Sequence, residues 1–160
     1  MSKEQTAVFI SGNKNLTEKQ FIMYYLPMLK LMIDDENTVF RLSDDTECSK
    51  LCIKTFEQYL KNKKRVIIYS TSMLPPKDFP SGYGFIGGFL TMEERDAAMT
   101  MTSDTDLHIV LQGEGKSSVA NNILRRYTPE YNYAKFIATG QKDFWQVIFS
   151  DISKNNNVQS

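Results

Sequence analysis

Apolar and polar positions follow two different spacings along this chain. Short runs rich in β-branched and aromatic residues predict strands at 7–11, 38–42, 65–70 and 106–112. Between these runs, apolar residues recur at helical spacing, which predicts helices over 17–33, 46–60, 92–102 and 118–126. Pro27 falls inside the first helix and should kink or split it. Two more strands are predicted at 134–138 and 144–152.

The order of these elements predicts the fold class. Strands that alternate with helices form βαβ units, so we expect an α/β fold with a mainly parallel central sheet flanked by helices in three layers. The 160 residues suit one domain, here 1–152, followed by a disordered polar tail at 153–160. Ligands of such folds bind at the carboxyl ends of the strands. The loops SGNKN and QGEGKSS, which follow strands one and four, are therefore expected at a ligand site.

Charge and hydropathy narrow the partners and the location. The 19 acidic and 19 basic side chains cancel, so no extended nucleic-acid surface is expected. No apolar stretch approaches the roughly 20 residues of a membrane span. The N-terminal MSKEQT lacks the layout of a signal peptide, and we expect a cytoplasmic protein with no membrane partner.

The cysteines and the histidine do not predict a metal site. Cys48 and Cys52 lie four residues apart, on one face of a predicted helix, and are interpreted as buried thiols. His108 lies in an apolar strand and is interpreted as a core residue. Together these residues fall short of the four ligands of a structural zinc site, so neither a metal nor a cofactor is expected.

Residues 71–91 differ from the rest of the chain. Three prolines and four glycines are interleaved with aromatic residues, which predicts a long loop without a regular element. Loops of this length are uncommon in compact domains and are often functional. Two interpretations stay open, a flap over a ligand and a packed excursion without a role in binding.

The stretch HIVLQGEGKSSVANN, residues 108–122, has the glycines of a phosphate-binding loop. A Walker A loop would need glycine where Val110 stands, so a nucleotide triphosphatase of that type is not expected. Small residues at a helix N-terminus also let backbone N–H groups approach an anion, and Gly113, Gly115, Ser117 and Ser118 suit this. An ordinary glycine-rich turn between strand and helix explains the same residues.

Several motifs together resemble a known superfamily. Met92, Arg95 and Met99 precede a strand and the glycine loop, as in the M-x-x-R-K-x-x-M helix of the lonely-guy phosphoribohydrolases, with Asp96 in place of lysine. VFISGNK, RLSDDTECSK, VIIY and RDAAM are similar to motifs of small uncharacterised bacterial members. Over about residues 7–126 the chain thus resembles the LOG-like or SLOG superfamily, which is Rossmann-like and includes Smf proteins and nucleoside deoxyribosyltransferases.

The resemblance implies a site for a nucleotide or a nucleoside-derived small molecule. Arg95 would point at phosphate or sugar, although a solvated charge on a helix face is the alternative. The acidic residues after strand two would meet ribose hydroxyls, or else form an N-cap cluster. The implied ligand-binding residues are Ser11, Gly12, Asn13, Lys14, Asp44, Asp45, Arg95, Gly113, Gly115, Lys116, Ser117, Ser118 and Asn121.

Departures from the family pattern change the expected activity. Asn121 stands where the hydrolases carry a glutamate that acts at the sugar, and an amide can only form hydrogen bonds. We therefore expect a binding or sensing protein. The alternative is an N-glycosidase, phosphoribohydrolase or deoxyribosyltransferase-like enzyme that uses another carboxylate. Glu114 weakens the case for a monophosphate ligand, which Lys116 and Arg95 could offset. Resemblance also suggests a homodimer.

Overall fold

Strands and helices alternate in the computed structural model of the protein, which describes residues 5–111 and 117–127. The strands and helices are β1 (Thr6–Gly12), α1 (Glu18–Tyr24), α2 (Leu26–Asp34), β2 (Thr38–Ser43), α3 (Glu47–Tyr59), a 3-10 helix (Lys63–Arg65), β3 (Val66–Tyr69), β4 (Gly84–Ile86), α4 (Met92–Met101), β5 (Thr105–Ile109) and α5 (Ser118–Arg126). The strands predicted at 134–138 and 144–152, and the predicted tail, lie outside the described residues.

The sheet has five strands in the order β4-β3-β2-β1-β5, and all four pairings are parallel. The chain builds outward from β1 through β2 and β3 to β4, and then returns to the other side of β1 to form β5. Strand order therefore reverses between β1 and β5, which is where parallel sheets leave a crevice for ligands.

Alternate side chains of β1 pack in two different layers. Val8 and Ile10 belong to a buried cluster with Phe21 of α1, Leu29 of α2 and Phe56 of α3. On the opposite face, Phe9 packs with Tyr69 of β3 and Met99 of α4, and α5 lies on β5 and α4. Helices thus cover both faces of a parallel sheet, and the predicted three-layer, Rossmann-like α/β fold is confirmed. No helix within the described residues is long and apolar enough to cross a bilayer.

The helix predicted over 17–33 is split, as its proline predicts. Thr17 caps α1 through a capping box, in which its hydroxyl accepts from the Gln20 N–H at 3.1 Å and the Gln20 side chain accepts from the Thr17 N–H at 2.9 Å. A second helix then begins at Leu26, and Pro27 occupies its first turn, where a missing N–H costs nothing.

The prediction of no regular element in 71–91 is wrong for Gly84–Ile86, which form the edge strand β4 beside β3. Glycines with positive φ, Gly82 and Gly88, flank this strand and provide turns that other residues rarely adopt. Residues 71–78 are exposed, and the segment lies at the opposite edge of the sheet from β5. It borders the β3 side of the sheet.

Candidate functional site

Polar residues collect where the parallel strands end. Ser11 and Gly12 finish β1, with Asn13 and Lys14 after them, while Asp44 and Asp45 follow β2. Ser70 comes directly after β3. Because the carboxyl ends of parallel strands meet at one edge, the fold brings the two predicted groups of ligand residues after β1 and β2, together with Ser70, to the same side of the sheet.

The crevice between β1 and β5 is bridged at this edge by Tyr25. Its hydroxyl donates to the Ser11 carbonyl at 2.8 Å and accepts from the Ile109 N–H at 3.3 Å. Burial raises the pKa of Tyr25 well above its ordinary value, which keeps the hydroxyl protonated and able to donate. A Cβ on Gly12 would lie 2.8 Å from this hydroxyl oxygen and 3.0 Å from the Cys48 sulfur. Gly12 is therefore required for close packing around Tyr25.

The predicted buried thiols are confirmed beside this bridge. Cys48 and Cys52 are free and have no exposed surface. Burial is the largest cause that raises the pKa of Cys52, followed by its contact with Cys48. The Cys52 thiol, held protonated in this way, is a poor nucleophile. Both cysteines are buried among core side chains and serve packing.

Ser11 faces α5 rather than an open cleft. Its hydroxyl accepts from the Asn122 side-chain amide at 3.2 Å, and its oxygen lies 2.8 Å from Nδ1 of His108. Since the amide nitrogen can only donate, the serine hydrogen is left to point at the imidazole. His108 is fully buried, which confirms it as a core residue.

An ion pair continues this buried network beneath α5. Arg126 donates to both carboxylate oxygens of Asp106, at 2.5 Å from Nε and 2.6 Å from Nη2, and to the Ser103 carbonyl at 3.2 Å. Burial opposes the charge of Asp106, but His108 and Arg126 outweigh it and lower the pKa of that carboxyl. Arg126 lies in the last turn of α5, and its side chain is fully buried.

Ser11, His108 and Asp106 are the residue types of a nucleophilic triad, but their geometry favours a structural role. Nε2 of His108 lies 3.3 Å from Asp106 without an aligned hydrogen bond. The carboxylate is already neutralised by Arg126, and Ser11 is covered by Asn122. The network therefore anchors α5 to β1 and β5, and it exposes no nucleophile.

Arg95 lies at the centre of a cluster of three carboxylates. Its Nη1 is 2.9 Å from Asp45 and 3.7 Å from Asp44, and its Nη2 is 3.0 Å from Asp96. The side chain is 4% exposed, so the alternative of a solvated charge on a helix face is wrong. Burial alone would lower the pKa of Arg95, but Asp45 and Asp96 raise it overall, which keeps the guanidinium charged.

The two acidic residues after β2 hold different positions in this cluster. Asp44 accepts from the Ser70 hydroxyl at 2.6 Å, and that hydroxyl in turn accepts from the Ser72 N–H at 2.9 Å. The Asp45 side chain is 39% exposed. The alternative of an N-cap, formed by Asp45 or Thr46, is confirmed for Thr46, whose hydroxyl accepts from the Ser49 N–H at 3.1 Å. Sequence analysis missed Ser70, although its place at the end of a predicted strand was a usable signal.

Asn13 is the least satisfied polar side chain of the site. It is 1% exposed, yet neither its Oδ1 nor its Nδ2 has a hydrogen-bond partner. Asn13 directly follows β1, and its carbonyl accepts from the Leu16 N–H at 3.0 Å. Buried amides of this kind are rare in folded proteins and call for a specific explanation. Lys14 beside it is exposed.

The remaining predicted residues belong to the loop after β5 and to α5. Gly113, Gly115 and Lys116 lie outside the described residues. Ser117 is the N-cap of α5, and its hydroxyl accepts from the Ala120 N–H at 3.4 Å. Ser118 and Asn121 are exposed on this helix, whereas Asn122 is buried against Ser11.

The described residues contain no group of histidine, cysteine and acidic side chains suited to a metal ion. No protein-family model, curated protein or solved structure matches the chain.

Proposed function

We propose that this protein binds a nucleotide or a nucleoside-derived small molecule at the carboxyl edge of its sheet, as a LOG-like domain. The observation that carries the proposal is the buried Asn13 side chain, whose oxygen and nitrogen both lack a partner. An amide buried in this way costs about 1–3 kcal/mol, and a bound polar ligand would remove that cost. A nucleobase edge, which carries donors and acceptors side by side, suits a group that both donates and accepts.

The surroundings of Asn13 support a sugar next to the base. β1 and β2 pair in a register in which Phe9 lies level with Arg41. Asn13 follows β1 and Asp45 follows β2, so both lie beyond the carboxyl ends of neighbouring strands, and the Asp45 carboxylate is partly exposed. An acidic residue after the second strand of a nucleotide-binding fold commonly accepts hydrogen bonds from ribose hydroxyls.

We propose binding or sensing in preference to cleavage of the glycosidic bond. The resemblance aligns Asn121 with a catalytic glutamate, and an amide cannot act as a nucleophile or stabilise an oxocarbenium ion by charge. An N-glycosidase or transferase would have to use another carboxylate. Asp45 is the exposed candidate, but its nearest charged neighbour is the guanidinium of Arg95 at 2.9 Å.

Mass spectrometry of the supernatant after denaturing the purified protein tests the proposal. The expected result is a retained nucleotide or nucleoside, which fresh protein leaves unchanged on incubation. Nucleoside monophosphates are incubated in parallel while free base is measured. Free base that forms in proportion to protein would replace the sensing function by the enzymatic one. If the protein retains no nucleoside or nucleotide and also binds none that is added, the proposal is contradicted.

A homodimer is proposed on the resemblance alone, through helices that flank the site. Light scattering during size-exclusion chromatography measures the mass directly. Twice the chain mass of 18.4 kDa is the expected result, and a mass of one chain across the micromolar range would contradict it.

A further inference from the structure

We infer that two copies of this chain associate through the outer edge of β4, with their β4 strands antiparallel about a two-fold axis at Phe85. This inference rests on the homodimer proposed above, and it assigns the interface to the sheet edge instead of the helices that the resemblance suggests. It depends on the backbone of Phe85, on the apolar surface around β4 and on the charges near it.

The middle residue of β4 turns its backbone to the outside of the sheet. The Ser70 N–H donates to the Ile86 carbonyl at 2.9 Å, and Ile86 pairs with Tyr69, so the backbone groups of Ile86 face β3. Backbone direction alternates along a strand, and the N–H and C=O of Phe85 therefore point away from β3. Because β4 is the last strand on this side of the described sheet, no described strand pairs with these two groups.

A second copy of the same strand matches the donor and the acceptor of Phe85. In an antiparallel ladder, two residues that form a hydrogen-bonded pair exchange both of their N–H···O bonds. Phe85 opposite the partner's Phe85 forms such a pair, and a two-fold axis between them makes the contact self-complementary. The two five-stranded sheets then join into one continuous sheet.

The side chains of β4 also fit this register. With Phe85 at the axis, Ile86 lies opposite the partner's Gly84, and the Ile86 side chain is 40% exposed. Gly84 has no side chain to cover Ile67, whose Cγ1 lies 3.1 Å from the place that a Cβ on Gly84 would occupy. An isoleucine from a second copy can therefore pack over the glycine and against this apolar neighbour.

Further exposed apolar side chains extend the surface beyond the three residues of β4. The Gly88 N–H donates to the Ser72 carbonyl at 2.8 Å, and a Cβ on Gly88 would lie 3.1 Å from the Met73 sulfur. The segment after β3 thus lies against the chain that leaves β4. Met73, Leu74 and Leu90 are all largely exposed. Exposed apolar patches of this kind mark interaction surfaces.

Charge does not oppose the association of two copies. Edge strands are usually protected by charged side chains, lysine above all, but residues 79–92 contain no charged residue. The whole chain has 19 acidic and 19 basic side chains, so two copies do not repel each other through net charge. An uncharged, self-complementary edge on a chain without net charge favours a second copy over a charged partner.

Light scattering during size-exclusion chromatography and sedimentation equilibrium of the full chain measure the dimer and its dissociation constant. Ile86→Glu should weaken association by roughly 100-fold or more, because each dimer has two charges in place of two packed isoleucines. Ile22→Glu on α1 and Leu124→Glu on α5 are the matched controls, since these side chains are 52% and 62% exposed. Both controls should stay within roughly threefold of the unmodified chain.

A disulfide between the two copies tests the position of the axis. In Phe85→Cys the introduced thiols lie directly opposite each other, at a Cα separation of about 5.5 Å that a disulfide can span. In the control Ile86→Cys, the two thiols are displaced by about 7 Å along the strands and cannot be bridged. Cys48 and Cys52 are buried, so mild oxidation should give a covalent dimer in the first variant only. If Phe85→Cys fails to fold, the comparison of Ile86→Glu with its controls still decides the inference.

The outcomes separate this inference from the proposals above. A dimer that survives Ile86→Glu, or that a helix variant weakens equally, overturns the sheet-edge interface and leaves the homodimer standing. A covalent dimer of Ile86→Cys but not of Phe85→Cys overturns the axis at Phe85. A monomeric unmodified chain overturns the homodimer and the inference together, and would leave the edge to a different partner strand. Retention of a nucleotide is measured separately and does not depend on any of these results.

Discussion

The proposal of ligand binding depends mainly on one side chain, Asn13. Its substitution should change the free energy of unfolding and ligand retention in opposite directions. Asn13→Leu removes two unpartnered polar atoms, so we expect the free energy of unfolding to rise by about 1 kcal/mol while ligand retention is lost. Urea unfolding measures the first quantity and mass spectrometry of released ligand the second.

The exposed neighbour Asn15 offers the control for this substitution. Asn15→Leu should leave retention unchanged, since its side chain is outside the buried site. A loss of stability of more than about 1 kcal/mol in Asn13→Leu would mean that the amide has a structural partner.

Asp106 should control the acid stability of the chain. Its pKa is lowered in the folded state, so the unfolded chain takes up the proton more readily. The stabilisation is therefore complete above the ordinary carboxyl pKa of about 4 and is lost as the pH falls below it. Asp106→Asn should cost about 3–5 kcal/mol at neutral pH, because it removes the buried carboxylate that pairs with the Arg126 guanidinium. It should also flatten the decline of stability below about pH 4.

Urea unfolding between about pH 3 and pH 7 measures both effects of the Asp106 variant. The exposed Asp78 provides the comparison, and Asp78→Asn should follow the unmodified chain at every pH. If the free energy of unfolding falls equally steeply at low pH with and without Asp106, this carboxylate does not control the acid stability.

Residue roles were predictable only where they depend on position along the chain. Asp44 and Asp45 follow a strand that periodicity identifies, so their place at the carboxyl edge could be predicted. The ion-pair partner of Arg126 could not be predicted. Asp106 is twenty residues away on β5, and only the packing of α5 brings the two side chains together. The same holds for Ser70, which reaches Asp44 across neighbouring strands.

At the scale of elements, periodicity was reliable for long elements and failed for short ones. The helix predicted over 46–60 is α3, Glu47–Tyr59, and the split at Pro27 follows from the missing N–H of proline. β4 has three residues, one of them glycine, and is too short for an alternation to show. Its strand geometry is imposed by pairing with β3, which is a tertiary effect.

The basic turn after α3 contains an arginine whose hydrogen-bond partners lie far away along the chain, where local sequence patterns cannot indicate them. The turn has the sequence KNKKR, residues 61–65, and its Arg65 donates to the carbonyls of Met32, Ile33, Asp35 and Thr38 at 2.7–3.1 Å. It thereby satisfies the C-terminal end of α2. Arg65→Lys should lower the free energy of unfolding by about 1–3 kcal/mol, because an ammonium cannot reproduce the planar fork.

Urea unfolding measures this change as well. Lys64→Ala at the adjacent exposed position is the control and should stay within about 0.5 kcal/mol of the unmodified chain. Equal effects at both positions would show that α2 does not depend on the guanidinium.

At the scale of the whole molecule, the site connects the helix layer that contains α4 with the layer on the other face of the sheet, formed by α1 to α3. Arg95 belongs to α4, whereas Asp44 and Asp45 follow β2, whose Leu42 and Phe40 pack in the layer of α1 to α3. A ligand bound at this edge of the sheet would contact both layers and should stabilise the whole chain as one cooperative unit. A nucleoside at a hundred times its dissociation constant should raise the free energy of unfolding by about 2.7 kcal/mol.

Arg95→Lys tests this coupling between the layers. A lysine ammonium is a point charge that cannot meet three carboxylates with fixed geometry, so the Asp45 side chain loses its orientation. We expect a stabilisation by nucleoside that is smaller by about 1 kcal/mol or more at the same ligand concentration, with two-state urea unfolding retained. Unchanged stabilisation in this variant would mean that ligand binding does not depend on the cluster. The cluster would then connect α4 to β2 for structural reasons alone, and the recognition of the ligand would have to be sought nearer to Asn13.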